Sequence, residues 1–169
     1  NKAWQAAKNP RLRTIMAESE LVIPEWATLW AAERLGLDGI HHIGGLTLMS
    51  RLLEEAPARG WTVYLLGAER SVVDALASHL RAREVPVTLV GWHDGFLRDD
   101  LTRRRVKDEL RTLRPNLLFV AMGSPLQEYF MDELGADGGG ACVSLGVGGS
   151  FDVLAGLKTD APSWMRGRG

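Results

Sequence analysis

The chain has 169 residues, a length that suits one domain around one substantial core and leaves no room for a second of ordinary size. Lys and Arg total 20 against 21 Asp and Glu, so no global field would recruit a nucleic-acid backbone or an anionic membrane by charge alone, and no nucleic-acid partner is expected. The single cysteine, Cys142, excludes an intramolecular disulfide and a cysteine-rich metal site, and it reads as a small buried apolar residue.

In chain order, the first sixty residues predict a helix at 3–16, a short apolar run "LVIP" that reads as a strand, and helices at 27–35 and 46–56. From Trp61 onward the pattern becomes regular: a short apolar run, a Gly-containing loop, then a longer helical stretch. The runs "WTVYLLG", "VPVTLVG", "NLLFVAMG" and "ACVSLGVG" show little polar alternation, as expected of parallel strands covered by helices on both faces, and each ends in Gly. Between them, 72–83, 101–113 and 126–134 space apolar residues three and four apart, so each lays one apolar stripe on a sheet. The reading is a single Rossmann-like α/β domain over 1–169, with a mostly parallel sheet flanked by helices. "DGGGA" from Asp137 is a candidate flexible connector, and Arg103 to Arg105 read as a solvated helix face. No apolar run approaches the ~20 residues of a membrane helix. The chain begins inside a helical pattern and stops at a polar stretch, so sequence is expected to be missing at both ends.

In such a sheet, ligands bind beyond the carboxyl ends of the strands, where loops converge and helix N-termini present unpaired N–H groups to anions. After the first long strand, Gly67 either cradles a phosphate or simply turns the chain, with Ser71 and Asp74 at capping-box spacing. In "VAMGSPLQE", Gly123 permits close approach, Ser124 can cap and Pro125 suits the first helical position. Ser124 and Gln127 also satisfy the S-x-x-Q capping box, so spacing alone leaves Gln127 either structural or functional. "LGVGGSFD" combines three glycines with Ser150 and Asp152 and could wrap a nucleotide or a sugar, yet it lacks the dinucleotide fingerprint. In "GWHDGF", His93 and Asp94 beside Gly95 read first as a turn and second as a ligand contact. Glu25 follows "LVIP" at a strand end, where a carboxylate could act as general base. His41 and His42 form the one adjacent histidine pair, and without a third histidine at ligand spacing no metal site is expected. Neither "MGSPL" nor "GGSFD" supplies the G-x-S-x-G of a nucleophile elbow.

Five ordered segments resemble the WecG/TagA/CpsF glycosyltransferases. "KNPRLRTIMAESELVIPEW" is similar to the family's segment ending in Pro-Asp-Gly, "VYLLGAERSVVDALASHL" to its Leu-Leu-Gly-Gly segment and "VGWHDGFL" to its Gly-Tyr-Phe loop. "RPNLLFVAMGSPLQEYFM" resembles its strand followed by Gly-x-Pro-Lys-Gln-Glu, and "LGVGGSFDVLAGLKTDAPSWM" its Gly-Val-Gly-x-x-Phe-Asp segment leading into Arg-Ala-Pro-x-Trp. The resemblance implies an inverting transfer of an N-acetylmannosamine-type sugar, or a related one, from a UDP-sugar donor to a polyprenyl-pyrophosphate-linked acceptor, specifically an undecaprenyl one. No cofactor and no metal are implied. It implies catalytic roles for Glu25, Gln127 and His42, and substrate binding by Gly67, Gly95, Gly123, Pro125, Glu128, Gly146, Gly148 and Asp152. Glu25 stands at the position of the family's proposed base. The expected setting is cytoplasmic and peripheral to the inner face of the plasma membrane, with membrane contact through a C-terminal tail not seen here, and a homo-oligomer is possible.

The sequence also departs from the family pattern. Glu25 replaces an Asp and is followed by Trp26 in place of Gly; His42 stands at an arginine position, Thr47 at an aspartate position, Leu126 at a lysine and Asp160 at an arginine. A protonated His42 could supply part of the missing cationic contact. These departures leave a second reading, a nucleotide-sugar-binding relative with impaired catalysis.

Overall fold

The computed structural model describes residues 2–23, 31–37 and 43–159. The chain opens with α1 (Lys2–Lys8) and α2 (Pro10–Glu18). The single helix expected at 3–16 is therefore two. Pro10 has no N–H and pushes the preceding residue out of the helical region, so Asn9 adopts ψ 98° and its side chain accepts the Leu12 N–H at 3.1 Å. The expected "LVI" strand does not form among the described residues: 21–23 pair with no strand there, and Leu21 and Val22 are exposed. Residues 31–34 form a helical turn, while Glu25, Trp26, His41, His42 and Asp160 lie outside the described residues.

The alternating part follows as α3 (Gly45–Arg59), β1 (Thr62–Gly67), α4 (Arg70–Arg81), β2 (Thr88–His93), α5 (Asp100–Leu113), β3 (Leu117–Ala121), α6 (Leu126–Ala136), β4 (Val143–Gly146) and α7 (Ser150–Leu154). The four strands form one sheet in the order β2-β1-β3-β4, and every pair is parallel. Side chains alternate across it. Val63, Leu65 and Phe119 face Met49 and Leu53 of α3, Val73 and Leu76 of α4, and Phe151 of α7. Tyr64, Leu66, Leu118 and Val120 face Val106 and Leu110 of α5, and Phe130 and Leu134 of α6. With both faces covered, neither parity is consistently polar, which explains the lack of polar alternation in the runs. Each fully buried Leu or Phe contributes roughly 1.5–3 kcal/mol relative to exposure.

Only β1 and β3 are buried along their length; the edge strands β2 and β4 are half-exposed. Cys142, just before β4, is exposed, which corrects its reading as a core residue: at the sheet edge no strand lies beyond it among the described residues. Nor does β2 stop at Gly91. It runs on to His93, because Gly91 lies against the Tyr64 ring, whose Cε2 would sit 2.5 Å from a Cβ there. β3 ends two residues before Gly123.

The "DGGGA" segment is an ordered turn. Gly138 and Gly139 take positive φ to close α6, and a Cβ on Gly140 would press on Leu110 and Leu134 at 3.0 and 3.1 Å. Arg103 is not simply solvated. It reaches Glu133 of α6 at 3.0 Å, beside Lys107, which bonds both Glu133 and Asp137 at 3.2 Å. Arg11 of α2 joins the same carboxylate at 3.3 Å and covers the Tyr129 ring, so three helices share one charge network.

Candidate functional site

The helix after β1 covers one face of the sheet and the helices after β2 and β3 cover the other. The chain thus leaves neighbouring strands β1 and β3 in opposite directions. That reversal makes a topological switch point, and in open α/β sheets ligands bind beyond the strands' carboxyl ends at such a point.

At this switch point the two backbones nearly touch. Gly67 pairs with Ala121, has φ +133°, and a Cβ on it would lie 2.5 Å from the Ala121 carbonyl carbon and oxygen. The next residue, Ala68, has φ 58°, donates its N–H to Ala121 O and accepts the Gly95 N–H, each at 2.9 Å. A Cβ on Gly95 would approach Gly67 Cα to 3.2 Å. Gly67 and Gly95 are therefore brought together by close passage of three strand-end loops. Ala68 and Ala121 complete that knot, and nothing in their residue type signals it.

The capping expectations do not hold here. α4 starts at Arg70 after Glu69, so Ser71 lies inside the helix; the Asp74 carboxylate instead accepts Arg70 Nε at 2.8 Å and Trp92 Nε1 at 2.7 Å. Those two donors, Arg70 foremost, hold the Asp74 carboxyl below its ordinary range. Between this helix and the β2 loop lies an open cleft of about 570 Å³, lined by Glu69, Arg70, Ser71, His93, Asp94, Phe96 and Arg98. The turn reading of "GWHDGF" is realised: Asp94 Oδ1 accepts the Phe96 N–H at 2.9 Å. His93 Nδ1 lies 2.8 Å from the Asp94 carbonyl, which can only accept, so Nδ1 carries the proton and Nε2 is the other ring position. Arg98, stacked over Phe96, marks the cleft as well, and its sequence context offered no sign of that.

Beyond β3, Gly123 takes φ +75° and the Ser124–Pro125 peptide is cis. Pro125 precedes α6 instead of opening it, and no side chain caps the helix. Ser124 Oγ is buried without a hydrogen-bond partner among the described residues. The capping-box explanation of Gln127 is thereby removed. Its side chain, 3% exposed, donates from Nε2 to Glu128 Oε1 at 2.9 Å and accepts the Gly148 N–H at 3.3 Å. Glu128, 6% exposed, is buried with it. A Cβ on Gly146 would lie 2.5 Å from Gln127 Nε2. Gln127, Glu128, Gly146 and Gly148 thus meet between the ends of β3 and β4.

Gly148 (φ +51°) has open space around it. Ser150 turns its hydroxyl back to the Val147 carbonyl at 2.7 Å, and Asp152 pairs with Lys158 at 2.8 Å. Thr47 is exposed in the first turn of α3.

A doubly wound parallel sheet with glycine-crossed loops at its switch point defines a Rossmann-like α/β protein. The model of the glycosyl transferase WecG/TagA/CpsF family matches residues 1–169, and the chain belongs to that family. It is similar to N-acetylglucosaminyldiphosphoundecaprenol N-acetyl-beta-D-mannosaminyltransferases. The one from Bacillus subtilis (strain 168) is 29% identical over 164 residues, covering 96% of this chain and 62% of the relative. That from Staphylococcus aureus (strain NCTC 8325 / PS 47) is 33% identical over 155 residues, covering 92% and 59%. The chain therefore spans about three fifths of the length of these relatives.

Proposed function

We propose that this chain carries the donor-binding fold of an inverting glycosyltransferase that moves an N-acetylmannosamine-type sugar from UDP to a polyprenyl-diphosphate-linked acceptor sugar. One observation carries the reading: the family match over residues 1–169 includes the loops that hold Gly67, Gly95, Gly123, Gln127 and Gly148, all at the carboxyl end of one parallel sheet. The named activity of the relatives supplies the substrate class.

In the proposed reaction, an acceptor hydroxyl oxygen attacks C1 of the donor sugar from the face opposite the UDP oxygen. The C–O bond to acceptor forms as the bond to UDP breaks, and a general base takes the hydroxyl proton. Glu25 is the proposed base, on the strength of its position in the resemblance. Backbone N–H groups at the strand-end loops and the N-terminus of α6 meet the charge that develops on the departing diphosphate. This reading includes no cofactor and no divalent cation. Because the acceptor is lipid-linked, the enzyme works against the inner face of the plasma membrane. No helix among the described residues is long and apolar enough to cross one.

The test is calorimetric titration of the chain with UDP and UDP-N-acetylmannosamine, in chelator and then with magnesium, beside a transfer assay on a short-chain polyprenyl-diphosphate acceptor. Binding in chelator with sugar transfer is the expected result. Binding without transfer would identify a nucleotide-sugar-binding relative, and binding only with magnesium would overturn the metal-independent mechanism.

A further inference from the structure

The Gln127 side chain sits in a space that exists because residue 146 has no side chain. A Cβ on Gly146 would lie 2.5 Å from Gln127 Nε2, 3.0 Å from its Cδ and 3.3 Å from Met131 Cε. Gly146 pairs with Val120 in the ladder, so the backbone of β4 cannot retreat to make room without breaking the sheet. The amide is held from both ends: Gly148 N–H donates to Oε1, and Nε2 donates to Glu128 Oε1. At the helix end, the Gln127 N–H donates to Gly123 O at 3.0 Å. One residue therefore ties the Gly123 loop after β3 to the Gly148 loop after β4. With 3% of its surface exposed, it presents almost nothing to a ligand.

We propose that Gln127 and Gly146 form a clamp: Gln127 is a positioning residue that sets the Gly148 loop and the Glu128 carboxylate, and Gly146 is the vacancy that admits it. This replaces two simpler assignments, Gln127 as a group touching the transferred sugar and Gly146 as a ligand contact. It rests on the proposed transferase reading for its effect on catalysis, but the clamp itself is a statement about loop structure.

Two variants test it. Gly146→Ala leaves every polar group in place and displaces the amide; Gln127→Met keeps the volume and removes both hydrogen bonds. Amide exchange at Gly148, read by NMR on the chain, should accelerate in both. Transfer turnover should fall, on the order of a hundredfold for a displacement near 1 Å, while UDP affinity changes far less. If Gly146→Ala does not fold, Gln127→Met carries the test alone. Unchanged Gly148 exchange in the folded variants would overturn the clamp. So would faster exchange with wild-type turnover, since the loop position would then not matter to transfer. A wild-type chain that binds UDP sugar but transfers nothing would count against the transferase reading and leave the exchange result to decide the clamp.

Discussion

Gly67 and Ala121 end neighbouring strands with their backbones in contact: a Cβ at position 67 would lie 2.5 Å from the Ala121 carbonyl carbon and oxygen and 2.6 Å from its nitrogen. No rotamer change relieves this, because the obstructing atoms are main chain. The position is also held at φ +133°, where L side chains are strained. Gly67→Ala is expected to lower stability by roughly 2–4 kcal/mol, from strain plus overpacking. Urea unfolding of the two proteins measures it, and a loss below about 0.5 kcal/mol, the usual size of a neutral surface change, would show that the loop simply relaxes.

Glu133 is the hub at which α2, α5 and α6 meet, accepting from Arg11, Arg103 and Lys107. Burial opposes its ionisation, but the hydrogen bonds from Lys107 and Arg11 and the nearby charges outweigh that and hold its carboxyl below the ordinary value. A depressed folded-state value means the unfolded chain binds the proton first as pH falls. The stabilisation is therefore fully present above the unfolded value of about 4.3 and disappears as pH drops through the lower folded one. Glu133→Gln should cost about 1–2 kcal/mol at pH 7, and the gap between the two proteins should close in strong acid. Urea midpoints at both pH values check the sign.

Ser124 keeps a buried hydroxyl with no partner among the described residues. Removing an unsatisfied polar atom relieves a desolvation cost, so Ser124→Ala should leave the thermal midpoint unchanged or raise stability by up to about 1 kcal/mol. If a ligand supplies the missing partner, UDP-sugar affinity falls in the same variant. A variant that is both less stable and unchanged in affinity would assign the hydroxyl to folding.

Asn9 does two jobs at the α1–α2 corner. It caps α2 through Leu12, and its amide nitrogen donates to the Tyr129 hydroxyl on α6, two residues from Gln127. Asn9→Ala should cost about 1–2 kcal/mol, and Asn9→Asp, which keeps the acceptor and loses the donor, clearly less. Equal losses would show that the tether, not the cap, supplies the stability.

Much of the fold was legible in one dimension because its signals are local. The runs at Val63–Gly67 and Leu117–Ala121 show no alternation of polar and apolar residues, as strands covered on both faces require, and the helices Arg70–Arg81 and Asp100–Leu113 carry one apolar stripe each. The glycines that end strands or turn the chain stand in the text of the sequence. Pro10 was visible too, yet its effect depended on whether Asn9 would cap a new helix, and that is a matter of geometry.

The sequence by itself determined the alternation of strands and helices and the parallel sheet, because residue type and spacing dictate these directly. Only the tertiary structure decided what each marked residue is for. Gly67 and Gly95 answer to backbones that arrive from other strands, and Gln127 abandons the capping role its spacing allows in order to reach Gly148. Cys142 is exposed because β4 lies at the edge, a fact about strand order. Partners twenty or fifty residues away leave no periodic trace in the chain, so they appear only when the strands are side by side.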